Sequence, residues 1–197
     1  QNPYPPFITS TLQQEGIRKL HMSSQQVMRT AQYLYEEGYI TYMRTDSVSL
    51  SNEAIQASRN AVESRFGTEY LPEKPRIFKN KVKNAQEAHE AIRPAGASFI
   101  TPDELKGKLD GQEWKLYDLI WKRTLASQMK PSKLQMTKVN ITNGTAYFEA
   151  KGKIIQFPGF LKVYVEDIDD PNQDKDDQES VLPPLAKEME LLGNSFT

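Results

Sequence analysis

Within Thr41-Tyr42-Met43-Arg44-Thr45-Asp46-Ser47 a phenol, a guanidinium and a carboxylate stand at alternate positions. Gly38 closes a helical pattern just before, and Tyr39-Ile40-Thr41-Tyr42-Met43 is rich in β-branched and aromatic residues, which predicts a short strand. At a period of two, Tyr42, Arg44 and Asp46 fall on one face. A tyrosine is a poor nucleophile at neutral pH because its hydroxyl titrates near ~10. A cation two residues along stabilises the phenolate as it forms, and a guanidinium also grips two oxygens of a phosphodiester at once. The set suits attack of Tyr42 on a phosphate, with Thr41 and Asp46 as orienting neighbours. The competing reading is a packed ring beside a surface charge, since the chain holds nine tyrosines.

Two further blocks accompany this one: Pro6-Phe7-Ile8-Thr9-Ser10-Thr11-Leu12-Gln13-Gln14-Glu15 and Ala88-His89-Glu90-Ala91-Ile92-Arg93-Pro94. In this order the three blocks resemble the signatures of bacterial DNA topoisomerase I, the type IA family. Met43 favours topoisomerase I over its relatives, because topoisomerase III enzymes usually read Tyr-Pro-Arg and reverse gyrases often Tyr-His-Arg at that place. The resemblance implies that Tyr42 and Arg44 are catalytic and that Tyr42 forms a 5′-phosphotyrosyl link to DNA. It implies that His89 contacts a DNA phosphate, with Arg93, Thr41 and Asp46 in the same DNA-binding set. It also implies a general acid and Mg2+-binding carboxylates on a separate Toprim domain. The 41 residues ahead of Tyr42 are used by two helices and leave no room for that domain. The expected activity of the longer protein is relaxation of negative supercoils without ATP, in the bacterial cytoplasm; this piece alone is expected to be inactive. The lack of a Gly-x-x-x-x-Gly-Lys-Ser/Thr loop agrees with a reaction that needs no nucleotide fuel.

The elements that must position these residues are legible as patterns. Ser10 with Gln13 forms a capping-box pattern ahead of Leu12, Ile17 and Leu20. Ser23 or Ser24 starts a second helix with Val27, Met28, Ala31, Leu34 and Tyr35 as its apolar stripe and Gly38 as its stop. Ser51 caps a third, with Ile55, Ser58, Val62 and Phe66 at helical intervals before Gly67. Two helices and then a strand predict a winged helix-turn-helix unit with Tyr42 on or beside the wing. Residues 68–84 read as a surface loop, its basic side chains from Arg76 to Lys83 solvated. A short helix is expected over Glu87–Arg93, ending before Pro94 and placing His89 and Arg93 on one face. Thr101-Pro102-Asp103-Glu104 opens a helical segment, and Gln112–Met129 forms a longer helix. The aromatics of that helix, Trp114, Tyr117 and Trp121, read as core rather than as a base-stacking surface.

Pro131 marks a change of architecture. Residues 134–142 alternate, Asn143-Gly144 signals a hairpin, residues 145–150 return, and 153–157 and 160–165 are two more candidate strands. The fold class is therefore α+β: a mostly helical, winged-helix (CAP-like) tyrosine domain over 1–130, then an incomplete small antiparallel β domain over 131–197. The resemblance identifies the second part as a piece of an arch domain. Residues 166–179 form an acidic loop. Its Asp167-Ile168-Asp169 offers two carboxylates to a hard cation, but the self-repelling run around it lacks a rigid scaffold, so no metal site is assigned to this chain.

Composition limits the partners. The net charge is -1, so bulk electrostatics alone does not make this a nucleic-acid binder. The charge is uneven, with 18 Lys and Arg against 15 Asp and Glu up to Lys130 and 7 against 11 beyond it. The absence of cysteine excludes disulfides and thiolate zinc sites, and no apolar run approaches a membrane span. Two other function classes compete with the enzyme: a noncatalytic winged-helix DNA-binding module, and an interaction domain that pairs through an open sheet edge.

Overall fold

In the computed structural model, which describes residues 1–79 and 90–165, the helices α1 (Thr9–Leu20), α2 (Ser24–Glu36), α3 (Asn52–Phe66) and α4 (Gly111–Ser127) build one core. Two long strands follow, β1 (Lys133–Asn143) and β2 (Ala146–Phe157), and then a short helix α5 (Leu161–Val165). The architecture is α+β, as expected. His89 and the acidic run 166–179 lie outside the described residues. Among the described residues, no helix is long and apolar enough to cross a membrane.

Capping chemistry explains where the helices start. The Ser23 hydroxyl accepts from Gln26 N–H while Gln26 Oε1 accepts from Ser23 N–H, and the Ser51 hydroxyl accepts from Ala54 N–H. At α4, Asp110 Oδ1 accepts from Gln112 and Glu113 N–H at 2.9 and 2.8 Å. The first helix departs from expectation. Its cap is Ile8, whose N–H donates to Thr11 Oγ1, whereas Gln13 reaches across to donate to Ser24 Oγ. The stripe also rotates: Ile17 is exposed, and Gly16 is buried in its stead. The reason is the crossing with α2, where a β-carbon on Gly16 would lie 2.6 Å from Val27 Cγ2.

The centre of the core is α4, with Leu116, Tyr117, Ile120, Trp121, Leu125 and, just beyond its end, Met129 buried. Tyr117 and Trp121 are thus core, and Trp114 is partly buried against it. Burial of a large apolar side chain contributes about 1.5–3 kcal/mol, so this one helix carries much of the stability that fixes the others. Tyr117 donates its hydroxyl to Ile100 O at 2.6 Å, and burial pushes its pKa well above the ordinary phenol value. Arg123 is buried as well. Its Nε donates to Pro5 O at 2.7 Å, and its guanidinium lies 4.8 and 4.7 Å from the Tyr4 and Phe7 ring centres, which pins the N-terminal segment to α4. The loop after α3 is tied down by Arg76, which donates from Nε to Met129 O and exchanges two hydrogen bonds with the Gln128 side chain.

The β part differs from the sequence reading in two respects. The described residues contain one two-stranded antiparallel sheet, because 146–157 runs as a single strand and 161–165 is helical. Phe160 and Val163 are buried three residues apart, a helical interval that the apolar run concealed. The turn is also displaced by one residue. Asn143 pairs with Ala146, so Gly144 and Thr145 are the central residues, and Gly144 takes φ 59° at the first of them. That is the glycine position of a type II′ turn rather than the Asn-Gly pair of type I′.

Replacing Gly16 with Ala is expected to destabilise the protein by about 1–3 kcal/mol despite alanine's better helix propensity, because β-branched Val27 cannot swing away. Urea denaturation checks this, and the added substitution Val27→Ala should recover most of the loss.

Candidate active site

Three stretches far apart in sequence meet to form the site, and each satisfies backbone groups of the others. Ile92 N–H donates to Phe7 O at 2.8 Å, Thr41 N–H to Arg93 O at 2.9 Å, Ala95 N–H to Tyr39 O at 2.9 Å and Ala91 N–H to Ser49 O at 2.8 Å. Thr9 N–H donates to Thr45 O at 2.9 Å. These stretches fall within or border the three sequence blocks singled out above. They do not form a regular sheet: Phe7–Ile92 and Ile40–Pro94 are isolated bridges. The strand expected over residues 39–43 is therefore reduced to one bridging residue. The ladder ends on both sides of that bridge because Tyr39 N–H donates to Leu34 O at the end of α2 and Arg93 N–H donates to Thr41 Oγ1.

The alternation nonetheless survives. Met43, Thr45 and Ser47 are buried, while Tyr42, Arg44 and Asp46 are exposed, which puts the phenol, guanidinium and carboxylate on the solvent side of one extended segment. Tyr42 keeps 44% of its surface, and its ring packs edge-on against Tyr35 with centres 5.1 Å apart. Tyr35, expected in the apolar stripe of α2, is 42% exposed and forms one wall of the site. No hydrogen bond or ion pair from a described residue engages the Tyr42 hydroxyl, the Arg44 guanidinium or the Asp46 carboxylate. All three stand open to a ligand.

Thr41 and Arg93 face inward. The Thr41 hydroxyl donates to Ala91 O at 2.7 Å and accepts from Arg93 N–H at 3.0 Å, so it stitches the tyrosine segment to residues 91–93. Arg93 is 7% exposed. Its Nε and Nη2 donate to Glu90 Oε2 at 3.2 and 2.7 Å, and its Nη1 donates to Pro94 O and Gly96 O at 2.9 and 3.1 Å. Residues 90–94 are extended, not helical, which corrects the part of the expected helix that falls on 90–93; long-range backbone pairing with Phe7 and Thr41 outweighs the local pattern. The guanidinium therefore holds the 90–96 loop, and its fork is engaged by protein acceptors. The placement of His89 lies outside the described residues.

Sequence reasoning missed the long-range roles of Thr9 and Glu90, and the bond that ties the Ser51 cap to residue 90. Glu90 Oε1 accepts from Ser51 N–H at 2.6 Å while its Oε2 accepts from Arg93, so it joins the cap of α3 to the loop that backs Thr41. Burial alone would raise the Glu90 pKa, but hydrogen bonds from Arg93 and Ser51 outweigh it and hold the carboxyl below the usual range. No group of three or more metal-ligating side chains occurs among the described residues.

Because the folded pKa of Glu90 is depressed, its contribution to stability is present above the ordinary carboxylate value of ~4.3 and is lost as pH falls through the lowered one. Glu90→Gln is expected to flatten that acid limb of a urea-midpoint profile. Glu90→Ala should cost about 1.5–3 kcal/mol at neutral pH, because it leaves the Arg93 guanidinium short of its charged acceptor.

Comparison with known proteins agrees with this geometry. A family model described as DNA topoisomerase matches residues 1–196. The DNA topoisomerase 1 of Synechococcus elongatus is 56% identical over 185 residues, 94% of this chain and 21% of that protein. That of Streptomyces coelicolor is 51% identical over 202 residues, 100% of this chain and 21% of that protein. The solved structure of full-length topoisomerase I from Thermotoga maritima superposes with a TM-score of 0.69 at 41% identity, covering 83% of this chain and 27% of that one. The chain thus spans about a fifth of the length of the curated relatives it matches. With the family match running almost end to end and the three blocks meeting around Tyr42, the chain belongs to the bacterial, type IA DNA topoisomerase family.

Proposed function

We propose that this chain carries the nucleophile of a type IA topoisomerase and that Tyr42 breaks and rejoins one DNA strand. The observation that carries the reading is the outward alternation of Tyr42, Arg44 and Asp46 on a segment whose inward residues are buried. The phenolic oxygen attacks the phosphorus, the bond from phosphorus to the 3′-oxygen breaks, and a 5′-phosphotyrosyl link forms. The tyrosine proton leaves to solvent or a base, and the departing 3′-oxygen takes up a proton. One phosphate ester replaces another, so the bond energy is conserved and no ATP is needed. Return of the 3′-hydroxyl reverses every step after another strand has passed, which relaxes negative supercoils.

In this scheme Arg44 faces the phosphoryl oxygens and stabilises the charge that grows on them. Asp46, on the same side, orients Arg44 or the substrate backbone. His89 contacts an adjacent phosphate. Thr41 and Arg93 belong to the DNA-binding set in an indirect sense, as the groups that hold the segment presenting Tyr42. The substrate is a single-stranded stretch of DNA, threaded past the Tyr35 and Tyr42 rings. Residues 1–130 serve as the tyrosine domain, with α1 and α2 as a helix-turn-helix unit and segment 39–47 as a rudimentary wing. Residues 131–197 are part of an arch. The Mg2+ and the general acid belong to a Toprim domain of the longer protein; among the described residues no group of three or more metal-ligating side chains occurs. The chain alone is inactive, and the longer protein works on cytoplasmic DNA.

In the longer protein, Tyr42→Phe is expected to abolish the denaturant-resistant adduct with single-stranded DNA while the fold is kept. Arg44→Ala should slow adduct formation roughly 10²–10³-fold, the range for loss of one preorganised charge partner. Adduct formation at the normal rate by Tyr42→Phe would remove the reading, and DNA binding without cleavage even when a Toprim domain is supplied in trans would favour the noncatalytic binding module.

A further inference from the structure

We propose that Thr9 is a positioning residue of the Tyr42 site: its side-chain hydroxyl fixes the backbone on both sides of Arg44. The inference rests on the nucleophile reading above and adds a residue that does not touch DNA.

Thr9 Oγ1 accepts from Thr45 N–H at 2.9 Å and lies 2.8 Å from Met43 O and 3.0 Å from Thr45 O, the two carbonyls that share its single hydrogen. The Thr9 N–H adds a bond to Thr45 O at 2.9 Å. Among the described residues, no other residue forms a hydrogen bond to the backbone of residues 42–45. This matters because the expected strand is missing. A segment without a ladder has no register of its own, and its two functional side chains would drift with the backbone. Thr9 replaces the ladder at one point, and that point brackets Arg44.

The hydroxyl is not a cap of its own helix. The capping contact at this end runs from Ile8 N–H to Thr11 Oγ1, and Thr9 is the first helical residue, whose N–H has no partner within α1. Both polar groups of Thr9 therefore turn outward onto Met43 and Thr45. Because α1 is packed into the core through Leu12 and Gly16, the contact transmits the rigidity of the helical core to the exposed segment.

The test uses the longer protein, a labelled single-stranded oligonucleotide, single-turnover adduct formation at saturating DNA, and a separate affinity measurement by anisotropy. Thr9→Val keeps the shape and removes the hydroxyl; Thr9→Ser restores it. The expected result is a roughly 10- to 100-fold slower adduct for Thr9→Val with affinity within about twofold, and Thr9→Ser within about threefold of the unsubstituted rate. In an Arg44→Ala background the loss from Thr9→Val should shrink, because the two act through one group. An unchanged rate in Thr9→Val overturns the proposal, as does a Thr9→Ser protein as slow as Thr9→Val, or an undiminished loss beside Arg44→Ala. If Thr9→Val does not fold, Thr9→Ala is judged by the same criteria. An adduct that survives Tyr42→Phe removes the nucleophile reading itself, a failure separate from an unaffected Thr9 variant.

Discussion

Three segments separated by tens of residues each leave backbone donors and acceptors that only the other two can satisfy, and this mutual obligation shapes the site. A buried N–H or C=O without a partner costs about as much as a lost hydrogen bond, so the segments cannot part cheaply. Thr41 to Arg93, Ile92 to Phe7, Ala95 to Tyr39 and Thr9 to Thr45 close the circuit. The helices make the circuit rigid by anchoring its ends: Phe7 through Arg123 on α4, Thr9 through α1, and residues 90–92 through Glu90 and the cap of α3.

Two arginines of the suspected site have opposite fates, and the contrast separates holding from acting. Arg93 is buried with its fork on Glu90 and two carbonyls, where a planar five-donor group organises a loop better than any other side chain. Arg44 is exposed and bonded to no described residue, so its charge remains available for an anionic ligand. Hydroxyls follow the same division. Thr9 and Thr41 bind backbone, whereas the Tyr42 hydroxyl faces solvent. The chain's net charge of -1 is compatible with this scheme, since the site relies on a placed cation rather than on a diffuse positive field.

Much of this was legible in the residues themselves where the determinants are local. Ser23, Ser51 and Gly67 mark helix ends within a residue of where they fall, because capping is a contact between near neighbours. The alternation of Tyr42, Arg44 and Asp46 was also legible, since side chains of any extended segment point in turn to opposite sides, with or without a ladder. What misled was long-range. The residues of 90–93 read as part of a helix, yet Glu90 and Arg93 meet on an extended stretch pinned by Phe7 and Thr41. Ile17 yields its place to Gly16 because α2 comes too close for a side chain, and Phe160, just ahead of α5, is buried with Val163 where that helix docks on α4. Thr9 carried no signal beyond membership of a block, as nothing near it in sequence reveals that its hydroxyl reaches residue 45.

The most direct measurement identifies the atom that holds DNA. The longer protein is allowed to cleave a single-stranded oligonucleotide, denatured to trap the adduct, digested, and the nucleotide-bearing peptide sequenced by mass spectrometry. The account predicts a phosphodiester on the Tyr42 oxygen, in the peptide that contains Met43 and Arg44. A nucleotide on Tyr35, Tyr39 or any residue other than Tyr42 would contradict it.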